Sequence, residues 1–271
     1  MADSPGFAPD LYRGTAEYYE RFRPGYPQRM IEDLLGRVRP TGRGRLLDLA
    51  CGTGQVAFAI QERFAEVWAV DQEPDMIAVV RAKTHARGED RWRTVVGAAE
   101  GLEAPGASFE LVTIGNAFHR LHRAETAGRA LHWLEPGGCI ALLWASSPWS
   151  GDASWQRSLA ALLEEWKVRT GAQSRVSAGW ERIRSQQPDT SVLVQAGFEP
   201  VTSAEFPAGH EWTAESLIGF VYSTSVLPRP VVGDLADEFE AELRRELGRH
   251  STDGRMVETI RFAYELARRP G

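Results

Sequence analysis

A short apolar stretch that runs directly into a glycine loop is the feature that most limits how this chain can fold. Residues 46–49 are typical of a buried strand, and Gly52-Thr53-Gly54 follows closely. Apolar residues at helical spacing then predict a helix over 55–65. Such a strand–loop–helix unit holds a nucleotide-like ligand, because glycines let backbone N–H groups approach it and the helix N-terminus adds partial positive charge. The sequence therefore predicts an α/β nucleotide-binding fold.

Asp48, just before the loop, indicates which nucleotide-like ligand is expected. A carboxylate is unfavourable beside a diphosphate, because like charges repel strongly in a low-dielectric cleft. S-adenosyl-L-methionine (S-adenosylmethionine) has no phosphate and carries an ammonium and a sulfonium, so an acid near its methionine end is attractive. We therefore interpret the loop as a site for this cofactor. Residues 52–57 also satisfy the dinucleotide pattern G-x-G-x-x-[G/A], which leaves an NAD-dependent oxidoreductase open as an alternative.

Strands and helices alternate from residue 45 onward, which predicts a parallel sheet covered on both faces. The predicted strands are 45–50, 67–71, 93–96, 109–114, 138–144, 198–206 and 259–266. The predicted helices are 15–22, 27–38, 55–65, 74–87, 123–134, 189–196, 213–223 and 231–248. The rhythm breaks after the fifth strand, where a tryptophan-rich helical insertion is expected.

The pattern divides the chain into four parts. Residues 1–40 are predicted to be a helical segment that contributes to the cover of the active site, and 41–145 to be the cofactor-binding core. A helical cap is expected over 146–186. Residues 187–271 are predicted to complete the sheet, with a helical insertion at 213–248.

Composition narrows the classes of function. The chain has 271 residues, a net charge of −6 and 43% hydrophobic residues, so a packed core is expected and a main role on nucleic acid is disfavoured. It has no apolar run of membrane-spanning length. The polar start at 1–9 predicts no signal peptide and a cytoplasmic protein. Two cysteines without paired Cys/His spacing predict no metal site. The sequence does not indicate an oligomeric state.

The cofactor is expected to contact the ends of the second and third strands. Asp71 lies about twenty residues after the loop, the spacing at which an acid accepts ribose hydroxyls, although it could instead cap the next helix. Gln72 follows it as a further contact. Met76 could cover the adenine face or pack in the core. Glu100 could cap a short helix or order its loop.

These motifs together resemble the class I S-adenosylmethionine-dependent methyltransferases, in particular the type-11 group that acts on small molecules. The matching pieces are 47–54, Val70-Asp71, Ala99-Glu100, 116–119, 134–138 and the opening 19–27. The resemblance implies a Rossmann-like seven-stranded α/β sheet with an antiparallel last strand and a helical cap inserted after strand five.

The resemblance also implies roles for individual residues. The residues that would contact the cofactor are Gly52 and Gly54 at the methionine moiety, Asp71 at the ribose, Ala99 at the adenine, and Tyr19 and Arg23 near the methionine carboxylate. Two positions depart from the family pattern. Ala98 stands where relatives often carry an aspartate, and Arg120 stands where tryptophan usually follows the histidine.

The reaction centre is expected beyond the fourth strand, at Asn116 to His119, because ligands of open α/β sheets bind at the carboxyl ends of the strands. His119 is the predicted general base, with His122 and His210 as weaker candidates. We expect a methyl transfer to O, N or C of a small acceptor, in secondary metabolism. A non-methylating, cyclase-like enzyme and a silent partner subunit stay open as alternatives.

Aromatic residues of the two insertions indicate an apolar or aromatic acceptor, unless they form only the core of the cap. They are Trp149, Trp155, Trp180, Trp212, Phe220 and Tyr222.

Overall fold

The protein is represented by a computed structural model that describes residues 10–175 and 186–271. Its strands are β1 (Arg45–Leu49), β2 (Glu66–Asp71), β3 (Trp92–Val96), β4 (Phe109–Gly115), β5 (Leu134–Ala145), β6 (Thr202–Thr213) and β7 (Arg255–Arg268). Its helices are α1 (Ala16–Phe22), α2 (Gln28–Val38), α3 (Gln55–Ile60), α4 (Pro74–Arg87), α5 (Arg123–Trp133), α6 (Ser154–Thr170), α7 (Asp189–Ala196), α8 (Ala214–Tyr222), α9 (Arg229–Val232) and α10 (Ala236–Leu247).

The seven strands form one sheet in the order β3-β2-β1-β4-β5-β7-β6. Strands β1 to β5 are parallel, and β7 runs antiparallel to both of its neighbours. The predicted fold class is therefore confirmed. The strand order reverses between β1 and β4, and such a reversal opens a crevice at the carboxyl ends of the parallel strands.

The sheet is covered on both faces, as its apolar strands require. One face packs on α2 and α3, and the other on α5 and α7. The central strands β1 and β4 are buried on both faces, since every residue of the two strands except Arg45 and Gly115 is buried. This two-sided burial fixes the strand ends, and the loops that follow them, against a rigid support.

The last two strands are longer than predicted. Strand β6 was expected over 198–206 and runs from Thr202 to Thr213, while β7 begins at Arg255 instead of 259. The extension of β6 beyond residue 206 was hard to predict, because Pro207 lies within the strand. A proline is tolerated here because β6 is the edge strand of the sheet, where one row of N–H groups has no partner strand.

The two helical insertions form one layer. Helix α6, which follows β5, packs on α10 of the second insertion, with the Trp166 ring 5.1 Å from the Phe239 ring. The helix predicted over 231–248 is interrupted, because Gly233 has a φ of +59° and ends α9. Trp180 lies outside the described residues.

Helix α1 is held over the glycine loop by close packing and by one lysine. A Cβ at Gly219 of α8 would lie 2.3 Å from the Phe22 ring, so only glycine allows α1 to approach this closely. Lys83 of α4 forms an ion pair with Glu20 at 2.8 Å and donates to the carbonyl of Thr53 at 3.0 Å. The N-terminal segment is thereby tied to the loop that it covers.

Candidate active site

A cavity of about 960 Å³ opens at the carboxyl ends of the parallel strands. The predicted site residues that line it are Tyr19, Arg23, Gly52, Asp71, Gln72, Met76, Ala99, Glu100, Asn116 and His119. Asp48 and Gly54 are not among its described lining residues. The fold thus brings residues from six separate segments to one space.

The glycine loop needs glycine at both positions. Gly52 has a φ of +55°, and a Cβ there would lie 3.3 Å from the Tyr19 ring, at the cavity wall. Gly54 has a φ of +83°, and its Cβ would lie 3.0 Å from the Phe58 ring. A side chain at Gly52 would therefore strain the backbone and enter the cavity, whereas one at Gly54 would push against α3.

Asp71 connects the end of β2 with the glycine loop. Its Oδ2 accepts from the N–H of Gly52 at 2.8 Å, and its Oδ1 accepts from the N–H of Glu73 at 2.9 Å. Burial raises the pKa of Asp71, while these two backbone hydrogen bonds favour its charged form. A carboxylate has about four acceptor sites, so hydroxyl donors can still be accepted. The N-cap residue of α4 is Glu73, so Asp71 does not cap this helix as the alternative expected, and a role at the ribose stays a prediction.

Asp48 is buried below the glycine loop and supports it through two hydrogen bonds. Its Oδ1 accepts from the hydroxyl of Thr113 at 2.7 Å, and its Oδ2 accepts from the N–H of Ala57 at 3.3 Å. The residue is 1% exposed, and burial raises the pKa of its carboxyl to about 7. These bonds join β1, β4 and the first turn of α3, so we propose that Asp48 serves the cofactor by shaping the loop.

We expect Asp48→Asn to remove a pH dependence of stability. The pKa of Asp48 in the folded protein, about 7, lies above its ordinary value of 3.8, so the folded state binds the proton more tightly than the unfolded chain. The contribution to stability is therefore complete below pH 4 and is lost as the pH rises from about 4 to about 7, by at most about 4 kcal/mol. Urea unfolding at several pH values measures this slope.

The matched control for that measurement is Asp33→Asn. The side-chain hydrogen bond from Arg37 lowers the pKa of Asp33, so its loss cannot remove a decline of stability toward neutral pH. An Asp48→Asn protein that keeps the wild-type decline between pH 4 and 7 would contradict the assignment.

Arg23 of the N-terminal segment faces the cavity with neutral partners. Its Nε donates to the hydroxyl of Ser223 at 2.9 Å and its Nη2 to the carbonyl of Ser223 at 3.1 Å. The guanidinium lies 4.7 Å from the ring centre of Tyr19 and 4.9 Å from that of Phe220. Burial lowers the pKa of Arg23. No carboxylate pairs with it within the described parts of the chain, so an incoming carboxylate would be a suitable partner.

Asn116 lies directly after β4. Its backbone is left-handed, with a φ of +52°, a conformation that asparagine tolerates better than most residues. Its Nδ2 donates to the hydroxyl of Tyr26 at 3.2 Å, and its Oδ1 accepts from the N–H of Ala145 at 3.0 Å. The turn Phe118–Arg120 follows and places His119 at the cavity wall. Glu100 accepts from the N–H of His122 at 3.0 Å and so orders this loop.

The aromatic residues of the insertions separate into two groups. Trp149, Trp212 and Phe220 line the cavity, with the Phe220 ring 5.7 Å from Trp149 and 5.1 Å from Trp212. Trp155 and Tyr222 are buried in the core of the cap. Trp212 and Phe220 also belong to this buried core, so these two side chains combine both predicted roles.

Sequence analysis did not find several residues of the site. Tyr12, Ser223 and Ser225 contact the cavity arginines, and Arg120 was noted only as a departure from a family pattern. No motif marks the two serines, because they lie about 100 to 200 residues from their partners in sequence. His210, a weaker candidate base, contacts the Trp212 ring edge-to-face, with the ring centres 4.2 Å apart, and is not among the described cavity residues.

Two structural features are absent from the described residues. Within 10–175 and 186–271, no group of three or more His, Cys, Asp or Glu side chains could hold a metal ion. In the same ranges no helix combines the length and the apolar character needed to cross a bilayer.

Comparison with known proteins gives consistent matches. Residues 46–138 match the family described as "Methyltransferase domain". An uncharacterized methyltransferase of Mycobacterium tuberculosis is 32% identical over 145 residues, which are 54% of this chain and 55% of the relative. A ubiquinone/menaquinone biosynthesis C-methyltransferase of Rubrivivax gelatinosus is 31% identical over 60% of this chain and 65% of the relative. The mycobacterial match thus spans about half of the relative's length.

Solved structures share the fold at low sequence identity. The YcgJ protein of Bacillus subtilis has a TM-score of 0.57 at 14% identity, over 90% of this chain and 100% of that chain. Phosphoethanolamine N-methyltransferase 2 of Haemonchus contortus, in complex with S-adenosyl-L-methionine, has a TM-score of 0.55 at 16% identity, over 97% of this chain and 59% of that chain. Residues 46–138 therefore match a methyltransferase domain, and the chain as a whole shares the fold of these solved structures.

Proposed function

We propose that this protein transfers a methyl group from S-adenosylmethionine to an oxygen, nitrogen or carbon atom of a small-molecule acceptor. The observation that carries the proposal is the cavity at the strand ends, which combines a glycine loop, buried acids at one end and aromatic residues at the other. Its volume of about 960 Å³ is at the upper end of the usual range for ligand pockets and suits a cofactor together with an acceptor.

The residues fit the cofactor part by part. Asp71 would accept the ribose hydroxyls, and Gln72 and Met76 lie beside it at the cavity wall. Ala99 is buried at 5% exposure where the adenine would lie. Tyr19 and Arg23 would hold the methionine carboxylate, and Gly52 leaves the space that its backbone needs.

The charges of the cavity disfavour a dinucleotide. Asp71, Glu73 and Glu100 all line the cavity near the ends of β2 and β3. Burial and the neighbouring Asp71 raise the pKa of Glu73, which shows that negative charge is already crowded there. A pyrophosphate would add two more negative charges, whereas a sulfonium nucleoside would be attracted. The glycine pattern alone could not make this distinction.

Methyl transfer needs the protein mainly to position the two reactants and to supply a proton acceptor. When bound, the cofactor would supply a methyl group to the acceptor atom, and its positively charged sulfur would keep the electron pair of the broken carbon–sulfur bond. His119 would take the proton that an oxygen or carbon acceptor releases, and the loop that carries His119 is ordered by Glu100.

The acceptor is proposed to be apolar or aromatic, because Trp149, Trp212 and Phe220 form part of the wall. The similarity to a quinone C-methyltransferase agrees with a ring-shaped acceptor. A place in secondary metabolism and a cytoplasmic location stay predictions from the sequence.

Two measurements test the proposal. Isothermal titration should show binding of S-adenosylmethionine and S-adenosylhomocysteine, and NAD should give no heat of binding. A panel of acceptors with radiolabelled methyl donor should then yield labelled product and S-adenosylhomocysteine in equal amounts. Product without S-adenosylhomocysteine would favour the cyclase-like alternative, and binding without turnover would favour the silent subunit. Binding of NAD alone would reject the proposal.

A further inference from the structure

Arg120 is a cavity-lining cation without an acidic partner. Its Nη2 donates to the hydroxyl of Ser225 at 3.3 Å, and its guanidinium lies 4.8 Å from the ring centre of Tyr12. No carboxylate forms an ion pair with Arg120 in the ranges 10–175 and 186–271. Burial alone lowers the pKa of Arg120 to about 10. A guanidinium with five donors therefore has one neutral hydrogen-bond partner and one ring.

The guanidinium of Arg120 is only partly exposed, so part of its hydration is lost and its remaining donors face the cavity. One hydrogen bond to a hydroxyl and one cation–π contact leave this positive charge without an ionic partner. The fork of a guanidinium matches the two oxygens of a carboxylate or the oxygens of a phosphate. The guanidinium of Arg120 therefore suits a ligand that carries an oxyanion.

The other arginine and lysine side chains in or beside the cavity already have assigned partners. Lys167 pairs with Glu164 at 2.5 Å. Arg123, beside the cavity, pairs with Asp189 at 2.9 Å. Arg23 is the proposed partner of the methionine carboxylate. Arg120 is therefore the cavity arginine for which the cofactor supplies no partner.

The location of Arg120 points to the acceptor and not to the cofactor. It follows His119 in the turn beyond β4, and its partner Ser225 lies just after α8, which carries Phe220. The acids that would surround the nucleoside lie at the ends of β2 and β3, on other segments. The positive charge is thus placed with the candidate base and the aromatic wall.

We propose that Arg120 is a specificity-determining residue that binds an oxyanion, a carboxylate or a phosphate group, on the apolar or aromatic acceptor. This inference rests on the proposed function and deepens it, because it adds an acidic group to the class of acceptor. The aromatic wall would hold the body of the acceptor while Arg120 and Ser225 hold its anionic end. Tyr12 would keep the guanidinium in place by stacking.

The test uses simple probes on the full-length protein saturated with S-adenosylhomocysteine, so that Arg23 is already occupied. Benzoate, phenyl phosphate and the neutral benzamide are titrated by calorimetry. We expect benzoate or phenyl phosphate to bind at least tenfold more tightly than benzamide. Arg120→Gln should weaken the binding of the anion about 10- to 100-fold, as is typical of a charge-assisted hydrogen bond, and change benzamide binding less than twofold. Arg120→Lys should keep part of the preference.

The matched control is Arg93→Gln. Arg93 also stacks on an aromatic ring, 4.0 Å from the centre of Trp68, but it does not line the cavity, so its loss should leave all three affinities unchanged. The stronger of the two anions identifies the carboxylate or the phosphate as the natural group. Equal binding of benzoate, phenyl phosphate and benzamide to the wild type would overturn the inference, as would an Arg120→Gln protein that keeps the preference. Failure of the wild type to bind S-adenosylhomocysteine would instead reject the proposed function.

Discussion

The Asp71→Ala protein should bind S-adenosylmethionine at least about 100-fold more weakly than the wild type, because a hydrogen bond to a charged group contributes about 1.5–3 kcal/mol and the ribose offers two. The same change releases the N–H of Gly52, which the Asp71 carboxylate holds at 2.8 Å, so the glycine loop loses its fixed shape. Asp71→Asn should lose nearly as much, because an amide nitrogen cannot accept from a backbone N–H. Isothermal titration measures both affinities.

Glu66→Gln is the matched control for Asp71. Glu66 is an acid on the same strand β2, but it lies at the opposite end of the sheet, where it pairs with Arg45 at 2.6 Å. Its replacement should change the affinity for S-adenosylmethionine less than twofold. If Asp71→Ala binds the cofactor as tightly as the wild type while remaining folded, the ribose role of Asp71 is wrong, and with it the proposed orientation of the nucleoside in the cavity.

The second large effect is expected at His119. For an oxygen or carbon acceptor, His119→Asn should lower kcat about 10²- to 10⁴-fold, the usual contribution of a positioned general base. The affinity for S-adenosylmethionine should stay within twofold, because the imidazole is assigned to the acceptor proton and not to the cofactor.

His122→Asn tests whether the other histidine of the cavity is the base. Both histidines line it and they lie three positions apart in the chain, and the backbone N–H that His122 donates to Glu100 is kept by asparagine. Its replacement should leave kcat within a few-fold of the wild type. A His119→Asn protein with at least half of the wild-type kcat would show that the proton leaves by another route.

Much of the nucleotide-binding half could be predicted because its signals are local. The spacing between the glycine loop and Asp71 follows from a strand–helix–strand unit, whose geometry leaves little freedom once β1 is buried on both faces. The bounds of β1 to β4 were predicted to within one residue for the same reason, whereas β5 begins four residues earlier than predicted. The antiparallel last strand followed from the family resemblance and is confirmed by β7.

The direction of the Asp48 side chain could not be predicted from the neighbouring sequence. Its position before the loop was interpreted as unfavourable for a diphosphate, but its carboxylate turns to Thr113, 65 residues away, and not into the cavity. A buried acid takes the hydrogen-bond donors that the packed strands offer. Which donors those are depends on the register between β1 and β4, and no pattern within either strand records it.

The sequence by itself determined the class of fold, the glycine loop and the acids that suit a sulfonium nucleoside, because each depends on residues within one strand–loop–helix unit. Only the tertiary structure decided what surrounds the acceptor. Arg23 meets Ser223 and Arg120 meets Ser225 across separations of 200 and 105 residues, through helices of the second insertion. Such contacts arise from how the insertions pack over the sheet. Packing is a property of all the surfaces together, so no short stretch of sequence carries it.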